Sequence, residues 1–217
     1  MNIEQARFNM IEQQVKPWKV FSQKILGAMS ALPREQFISK DQIGLAYADV
    51  QLSIGHQQNM LAPREIARLI QALELKGDEK VLDLGTGSGY SAALLSKLSR
   101  KVYSVDIVEE FVKSAHKTLK KLAIDNVIVE EGDASEGWMA HAPYDAIFIS
   151  SALPKLTNSL KKNLSKNGRV VSILEHKGIL MATFSQLDEN DQWQHEYLFP
   201  IETAKMINSE KTNKFVF

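Results

Sequence analysis

Val81-Leu82-Asp83-Leu84-Gly85-Thr86-Gly87-Ser88-Gly89-Tyr90 is an apolar run with one acid near its end, stopping at three glycines spaced every second residue. Ala92, Ala93, Leu94, Leu95 and Leu98 follow at helical spacing. A buried strand, a tight turn and a helix N-terminus account for that order. Glycine permits φ > 0 and leaves no Cβ between a ligand and the main chain. The helix behind the turn presents N–H groups without intrahelical partners. The turn is therefore a place for a flat or polar ligand.

Working outward, two more apolar runs end in acids. Val102-Tyr103-Ser104-Val105 leads to Asp106, and Val127-Ile128-Val129 leads to Glu131-Gly132-Asp133. A dinucleotide turn spaces its glycines G-x-G-x-x-G, which disfavours a nicotinamide-dependent oxidoreductase. The spacing here is G-x-G-x-G and resembles the first motif of S-adenosylmethionine (AdoMet)-dependent methyltransferases. That resemblance implies AdoMet as cofactor and S-adenosylhomocysteine as product. It gives Gly85, Thr86, Gly87, Ser88, Gly89 and Tyr90 to the methionine end of the donor. Asp106 with Ile107 would hold the ribose hydroxyls, and Asp133 with Ala134 the adenine edge. Asp83 either orders the glycine turn or meets the donor's amino group through water.

At 217 residues the chain is long enough for one α/β domain with a real core. Its 26 basic and 26 acidic residues balance, so no field favours nucleic acid or an anionic membrane. The absence of cysteine excludes disulfides, thiolate metal sites and a cysteine nucleophile. The five histidines show no ligand spacing, and no metal is expected. No apolar run approaches membrane-spanning length, and the start has no signal-peptide h-region. A cytoplasmic location is expected.

Apolar residues at Ile3, Ala6, Phe8, Met10, Ile11 and Val15 predict a first helix ended by Pro17. A second covers Ser22 to Ser30, and Ala31 to Phe37 reads as a turn plus a short helix. Nothing there alternates like a strand, so residues 1–60 are expected to form a helical, loop-rich cap. Asp49 to Gly55 would be a short extended piece leading into a glycine turn. Ala62-Pro63 opens the next helix, with Ile66, Leu69, Ile70 and Leu73 on its buried face.

Strands are predicted near 80–84, 102–105, 126–130, 144–149 and 168–174, and helices near 88–98, 108–123 and 155–164. That alternation implies a Rossmann-like, mostly parallel, doubly wound sheet over residues 61–175. Lys113, Lys117, Lys120 and Lys121 read as a solvated helix face. Residues 176–217 would add C-terminal strands, with a hairpin from 178–185 and 192–199 and an apolar end at Lys214-Phe215-Val216-Phe217.

Several stretches together resemble the protein-L-isoaspartate O-methyltransferases. Asn9 to Val15 is similar to the family's opening helix, and Pro33-Arg34-Glu35-Gln36-Phe37 to its Val-Pro-Arg-x-x-Phe. Gly132-Asp133, Gly137-Trp138, Ala142-Pro143-Tyr144-Asp145-Ala146-Ile147 and Ser151-Ala152-Leu153-Pro154 resemble its third and fourth strand region. The resemblance runs from about residue 5 to 175. It implies a protein or peptide substrate carrying a damaged aspartyl residue.

One loop departs. The family's Gly-x-Gly-Gln-Thr-Ile-Ser-x-Pro reads Gly55-His56-Gln57-Gln58-Asn59-Met60-Leu61-Ala62-Pro63 here. Leu61 replaces the serine held to contact the substrate, and an isobutyl group donates no hydrogen bond. Gln58, Asn59 and Ser151, with Ser150 beside it, are the substitute donors. A carboxylate acceptor carries no proton at neutral pH, so no general base is needed and catalysis is mostly positioning and exclusion of water. Two alternatives stay open: methyl transfer to a different acceptor, and a non-catalytic AdoMet-binding adaptor.

Overall fold

The computed structural model describes residues 2–209. Lys214 to Phe217, expected as an apolar end, lie outside the described residues. Five parallel strands follow from the apolar runs: β3 (Lys80–Leu84), β4 (Lys101–Asp106), β5 (Val127–Glu131), β6 (Tyr144–Leu153) and β7 (Leu164–His176). β8 (Ile179–Leu187) and β9 (Trp193–Pro200) add the expected antiparallel C-terminal hairpin. The seven-stranded sheet runs β5-β4-β3-β6-β7-β8-β9. The chain moves outward one way from β3 through β4 to β5, then returns to the other side of β3 with β6. That reversal places a crevice at the carboxyl ends of β3 and β6, where open α/β sheets bind ligands.

The core strands are longer where the sequence reading stopped early. β6 runs on to Leu153 and β7 begins at Leu164, so the helix between them, α6 (Asn158–Asn163), is shorter than expected. Helix α4 (Tyr90–Ser96) is buried throughout. Helix α5 (Glu109–Lys121) buries Phe111, Val112, Ala115 and Leu119 and exposes the expected lysine face.

The N-terminal region holds α1 (Ile3–Met10), capped by the Asn2 side chain, and α2 (Gln23–Ala31). A π-helical turn (Ile11–Val15) and a 3-10 turn (Lys16–Trp18) extend α1, and the second of these contains Pro17. A 3-10 turn at Arg34–Phe37 takes the expected place, and one at Lys40–Leu45 was not foreseen. The larger correction is a β-hairpin within the supposedly helical cap, β1 (Leu52–Gly55) and β2 (Gln58–Met60). His56 and Gln57 both take left-handed φ, 49° and 57°. A two-residue hairpin turn demands that geometry, and neither residue announces it as Asn-Gly would.

Helix α3 (Pro63–Ala72) starts at Ala62, whose N–H donates to Glu65 Oε2 at 2.9 Å. Its far end is fixed by a buried ion pair. Arg169 on β7 donates to the carbonyls of Leu73 and Glu74 and, at 2.9 Å, to Glu79 Oε1. Glu79 also accepts the Lys76 and Gly77 amides. Burial opposes its charge, but those donors outweigh it and hold the carboxyl below its ordinary 4.5. Such a depressed acid stabilises the fold above its unfolded value and ceases to do so as pH falls through the folded one. Glu79→Gln is expected to cost about 1.5–3 kcal/mol at pH 7, since it removes the charge from hydrogen bonds to a half-buried Arg169 that keeps its two carbonyl partners. Urea unfolding should show that cost shrinking on acidification below the ordinary glutamate range.

Candidate functional site

The glycine turn is built onto β4. The amides of Gly85 and Thr86 both donate to the Val105 carbonyl, at 2.9 and 3.2 Å. Beneath them Asp83 is wholly buried, and its Oδ2 accepts from Ser104 Oγ at 2.7 Å and Ser91 Oγ at 3.0 Å. Thr86 Oγ1 and Ser104 Oγ share a further 2.7 Å hydrogen bond. Asp83 thus joins β3, β4 and α4 below the turn and is not part of the cleft wall. Burial pushes its carboxyl up to about 7, against the two serine donors and with Asp106 adding to the rise.

Two of the glycines are constrained by neighbours. At Gly87 (φ 50°) a Cβ would stand 2.9 Å from Ile54 Cδ1 of the β1–β2 hairpin. At Gly89 (φ 85°) it would stand 3.0 Å from Ala115 Cβ. Gly89 therefore serves the close approach of α4 to α5 and does not line the cleft, although the sequence places it with the ligand-binding set.

Above the turn lies a cleft open to solvent on one side, about 820 Å³ when the solvent space at its mouth is included. Gly85, Thr86, Gly87, Ser88 and Tyr90 form its floor. Asp106 and Ile107 come from the end of β4, and Asp133 and Ala134 from the end of β5. Gln58, Asn59 and Ser151 face them across it. The ends of four strands, β3, β4, β5 and β6, and the hairpin thus bring twelve of the fourteen residues singled out in the sequence to one place; Asp83 and Gly89 are the two outside.

The acids are pre-oriented by backbone. Asp106 Oδ2 accepts from Gly87 N at 2.8 Å and Oδ1 from Val108 N at 2.9 Å. Burial raises its pKa against those amides. Asp133 Oδ1 accepts from Ser135 N at 3.0 Å, and Oδ2 from the Asn208 amide at 3.1 Å. Ser151 Oγ is buried in the cleft wall with no hydrogen-bond partner. Gln58 donates to the Lys205 carbonyl at 3.3 Å, and Asn59 is exposed. Leu61 is 3 % exposed, packed into the core on one side and lining the cleft on the other.

Sequence reasoning missed two sets of residues. Ile54, Ile66 and Phe111 supply apolar wall and carry no local signal. Thr203, Met206 and Ile207 belong to the chain after β9, which folds back over the end of β6. There Ala152 N donates to Ala204 O at 2.8 Å and Met206 N to Ala152 O at 2.9 Å. Among the described residues no helix could cross a membrane and no group of acids and histidines could hold a metal.

Comparison with known proteins decides what this cleft belongs to. A family profile described as protein-L-isoaspartate(D-aspartate) O-methyltransferase (PCMT) matches residues 5–201. The chain belongs to this family. A protein-L-isoaspartate O-methyltransferase from Gloeobacter violaceus is 40 % identical over 162 residues, 75 % of this chain and 79 % of that one. Another, from Protochlamydia amoebophila, is 34 % identical over 205 residues, 93 % of this chain and 96 % of its own.

Solved structures agree on the fold. One described as a protein-L-isoaspartate O-methyltransferase gives a TM-score of 0.81 at 23 % identity, covering 95 % of this chain and 66 % of its own. A Plasmodium falciparum structure of the same description, in complex with S-adenosyl-L-homocysteine, gives 0.76 at 20 % identity, covering 94 % and 98 %. The family match ends at residue 201, so Thr203, Met206, Ile207 and Asn208 contribute to the cleft region from outside it.

Asp83 yields a pH test that needs no ligand. Between the ordinary aspartate value of 3.8 and about 7 the folded protein keeps a proton the unfolded chain has lost. Stability therefore falls with rising pH across that window and levels off above it. Asp83→Asn carries no such cost. Its melting temperature, relative to the unsubstituted protein, is expected to rise from pH 5 to pH 8 in parallel melts. A difference independent of pH would show that the carboxyl does not titrate there.

Proposed function

We propose that this PCMT-family chain is an AdoMet-dependent O-methyltransferase that esterifies the free α-carboxylate of isoaspartyl residues in proteins or peptides. The observation that carries it is the opening of three strand ends, at Gly85-Thr86-Gly87, Asp106 and Asp133, onto one cleft closed by the β1–β2 hairpin. The residues suit the donor. Asp106 keeps lone pairs for a ribose diol after accepting two amides. Asp133 offers an acceptor to the adenine edge. Ser151 Oγ is a buried hydroxyl still lacking a partner. When bound, AdoMet supplies a methyl group on a sulfonium cation.

The chain's own task is then positioning. The acceptor carboxylate is already anionic at pH 7. No side chain has to remove a proton. Ile54, Leu61, Ile66 and Phe111 make an apolar wall that excludes water, and Ser151 and Asn59 are the polar groups left to orient the acceptor. The equal numbers of acidic and basic residues support a peptide partner over nucleic acid, and the cysteine-free chain suits the cytoplasm.

Leu61 favours one second reading, a carboxylate acceptor other than isoaspartate. A lost hydrogen bond to a charged group costs about 1.5–3 kcal/mol, about one to two powers of ten in rate. The test is transfer of labelled methyl from AdoMet to an isoaspartyl peptide and its aspartyl twin. Base-labile label on the isoaspartyl peptide alone is expected, with a gain in kcat/KM for Leu61→Ser. Label on neither peptide, with AdoMet binding shown by calorimetry, would replace this reading by the second or by the adaptor. In the same calorimetry Asp106→Ala should lose at least tenfold in AdoMet affinity, about 1.4 kcal/mol; unchanged affinity removes Asp106 from the ribose.

A further inference from the structure

Arg34 is 0 % exposed. Its Nη2 donates to the Leu61 carbonyl at 2.8 Å, while Nε and Nη1 have no partner. The guanidinium carbon stands 5.0 Å from the centre of the Tyr90 ring, and the buried Tyr90 hydroxyl lies against the guanidinium. Among the described residues Arg34 makes no ion pair. Of the acids nearby, Glu35 is held by Arg7 and Tyr47, while Glu65 accepts only from the neutral Ala62 N and Gln51 Nε2 and acts on Arg34 through space, without contact.

A buried cation without a counter-ion is costly. Burial pulls the Arg34 pKa down from 12.5, yet a guanidinium stays protonated at any working pH. The fold therefore keeps a full positive charge in its interior. Its position gives the reason. Both of its contacts, Leu61 and Tyr90, line the cleft, so the charge lies directly behind the wall where the family's loop carries a serine.

We infer that Arg34 is a positioning and specificity residue for the methyl acceptor: it fixes the Leu61 backbone and makes that wall attract an anionic carboxylate over a neutral group. This rests on the carboxylate-acceptor reading above. A charge in a poorly screened interior is felt further than one at the surface. The acceptor loses negative charge as the methyl group arrives. The cation behind the wall thus favours the bound carboxylate more than the transition state, so removing it raises the acceptor KM and does not lower kcat.

The test compares an isoaspartyl peptide with its isoasparaginyl twin, in which a carboxamide replaces the carboxylate. Binding of each is measured by calorimetry to protein saturated with S-adenosylhomocysteine. Unsubstituted protein is expected to prefer the carboxylate. Arg34→Met should lose about tenfold on the carboxylate peptide and stay within about twofold on the carboxamide. Arg34→Lys, which keeps the charge, should keep the preference. In turnover Arg34→Met should raise the acceptor KM without lowering kcat.

Should Arg34→Met fail to fold, Arg34→Gln retains a donor for Leu61 without the charge and serves the same comparison. Equal losses on both peptides would reduce Arg34 to structural support, and no loss on either would show that the charge is not felt. Both outcomes overturn the inference through the variants alone. Unsubstituted protein that binds neither peptide overturns the isoaspartyl reading itself, and this inference with it.

Discussion

Two successive amides, Gly85 and Thr86, converge on one carbonyl, that of Val105. The chain leaving β3 must satisfy its backbone groups at once, because it turns inside a parallel sheet with no water to help. It does so on the end of β4. The next residue of β4, Asp106, then receives the Gly87 amide. A single docking of turn on strand thus sets the glycine floor and the acid beside it in one rigid geometry. Asp83 secures the same junction from below through Ser91 and Ser104. Asp83 thereby ties two strands, β3 and β4, and α4 to the cleft floor.

How much of this is legible in sequence follows from the range of the interactions involved. The strand–turn–helix around Gly85 is local, so apolar runs and glycine spacing disclose it. Asp106 and Asp133 are also disclosed, since each ends an apolar run and parallel order brings such ends to one edge. Gly89 misleads because glycine serves two purposes: its spacing suggests a ligand, while its missing Cβ admits Ala115 of α5. Asp83 misleads less, since ordering the turn was one of its two expected roles. The β1–β2 hairpin escapes because its turn rests on left-handed His56 and Gln57, a conformation non-glycine residues adopt only when tertiary packing compels it. Ile54 against Gly87 is that packing.

On the proposed reading, the Leu61 wall pairs a departure from the family's loop with an arginine from a stretch that resembles the family's Val-Pro-Arg-x-x-Phe. Where the family's loop offers a hydroxyl, Leu61 offers a hydrocarbon face that drives out water and a backbone carbonyl turned to Arg34. A hydroxyl acts through one short directional bond, whereas a buried cation acts through space and survives small changes in acceptor pose. Ser151, with its orphan hydroxyl beside Gly85, keeps a directional donor available. The two elements divide attraction from orientation, and a carboxylate answers to both.

The chain beyond residue 201 carries the last step. It lies past the family match, yet it runs beside Ala152 of β6, accepts Gln58 from the hairpin at Lys205 and reaches Asp133 through Asn208. One short segment therefore touches the β1–β2 hairpin and Asp133 together. Those contacts are a few hydrogen bonds, each of modest net strength, but they reach three elements that are far apart in the chain. Through them the end of β6, the hairpin and the strand end at Asp133 are tied into one cleft wall.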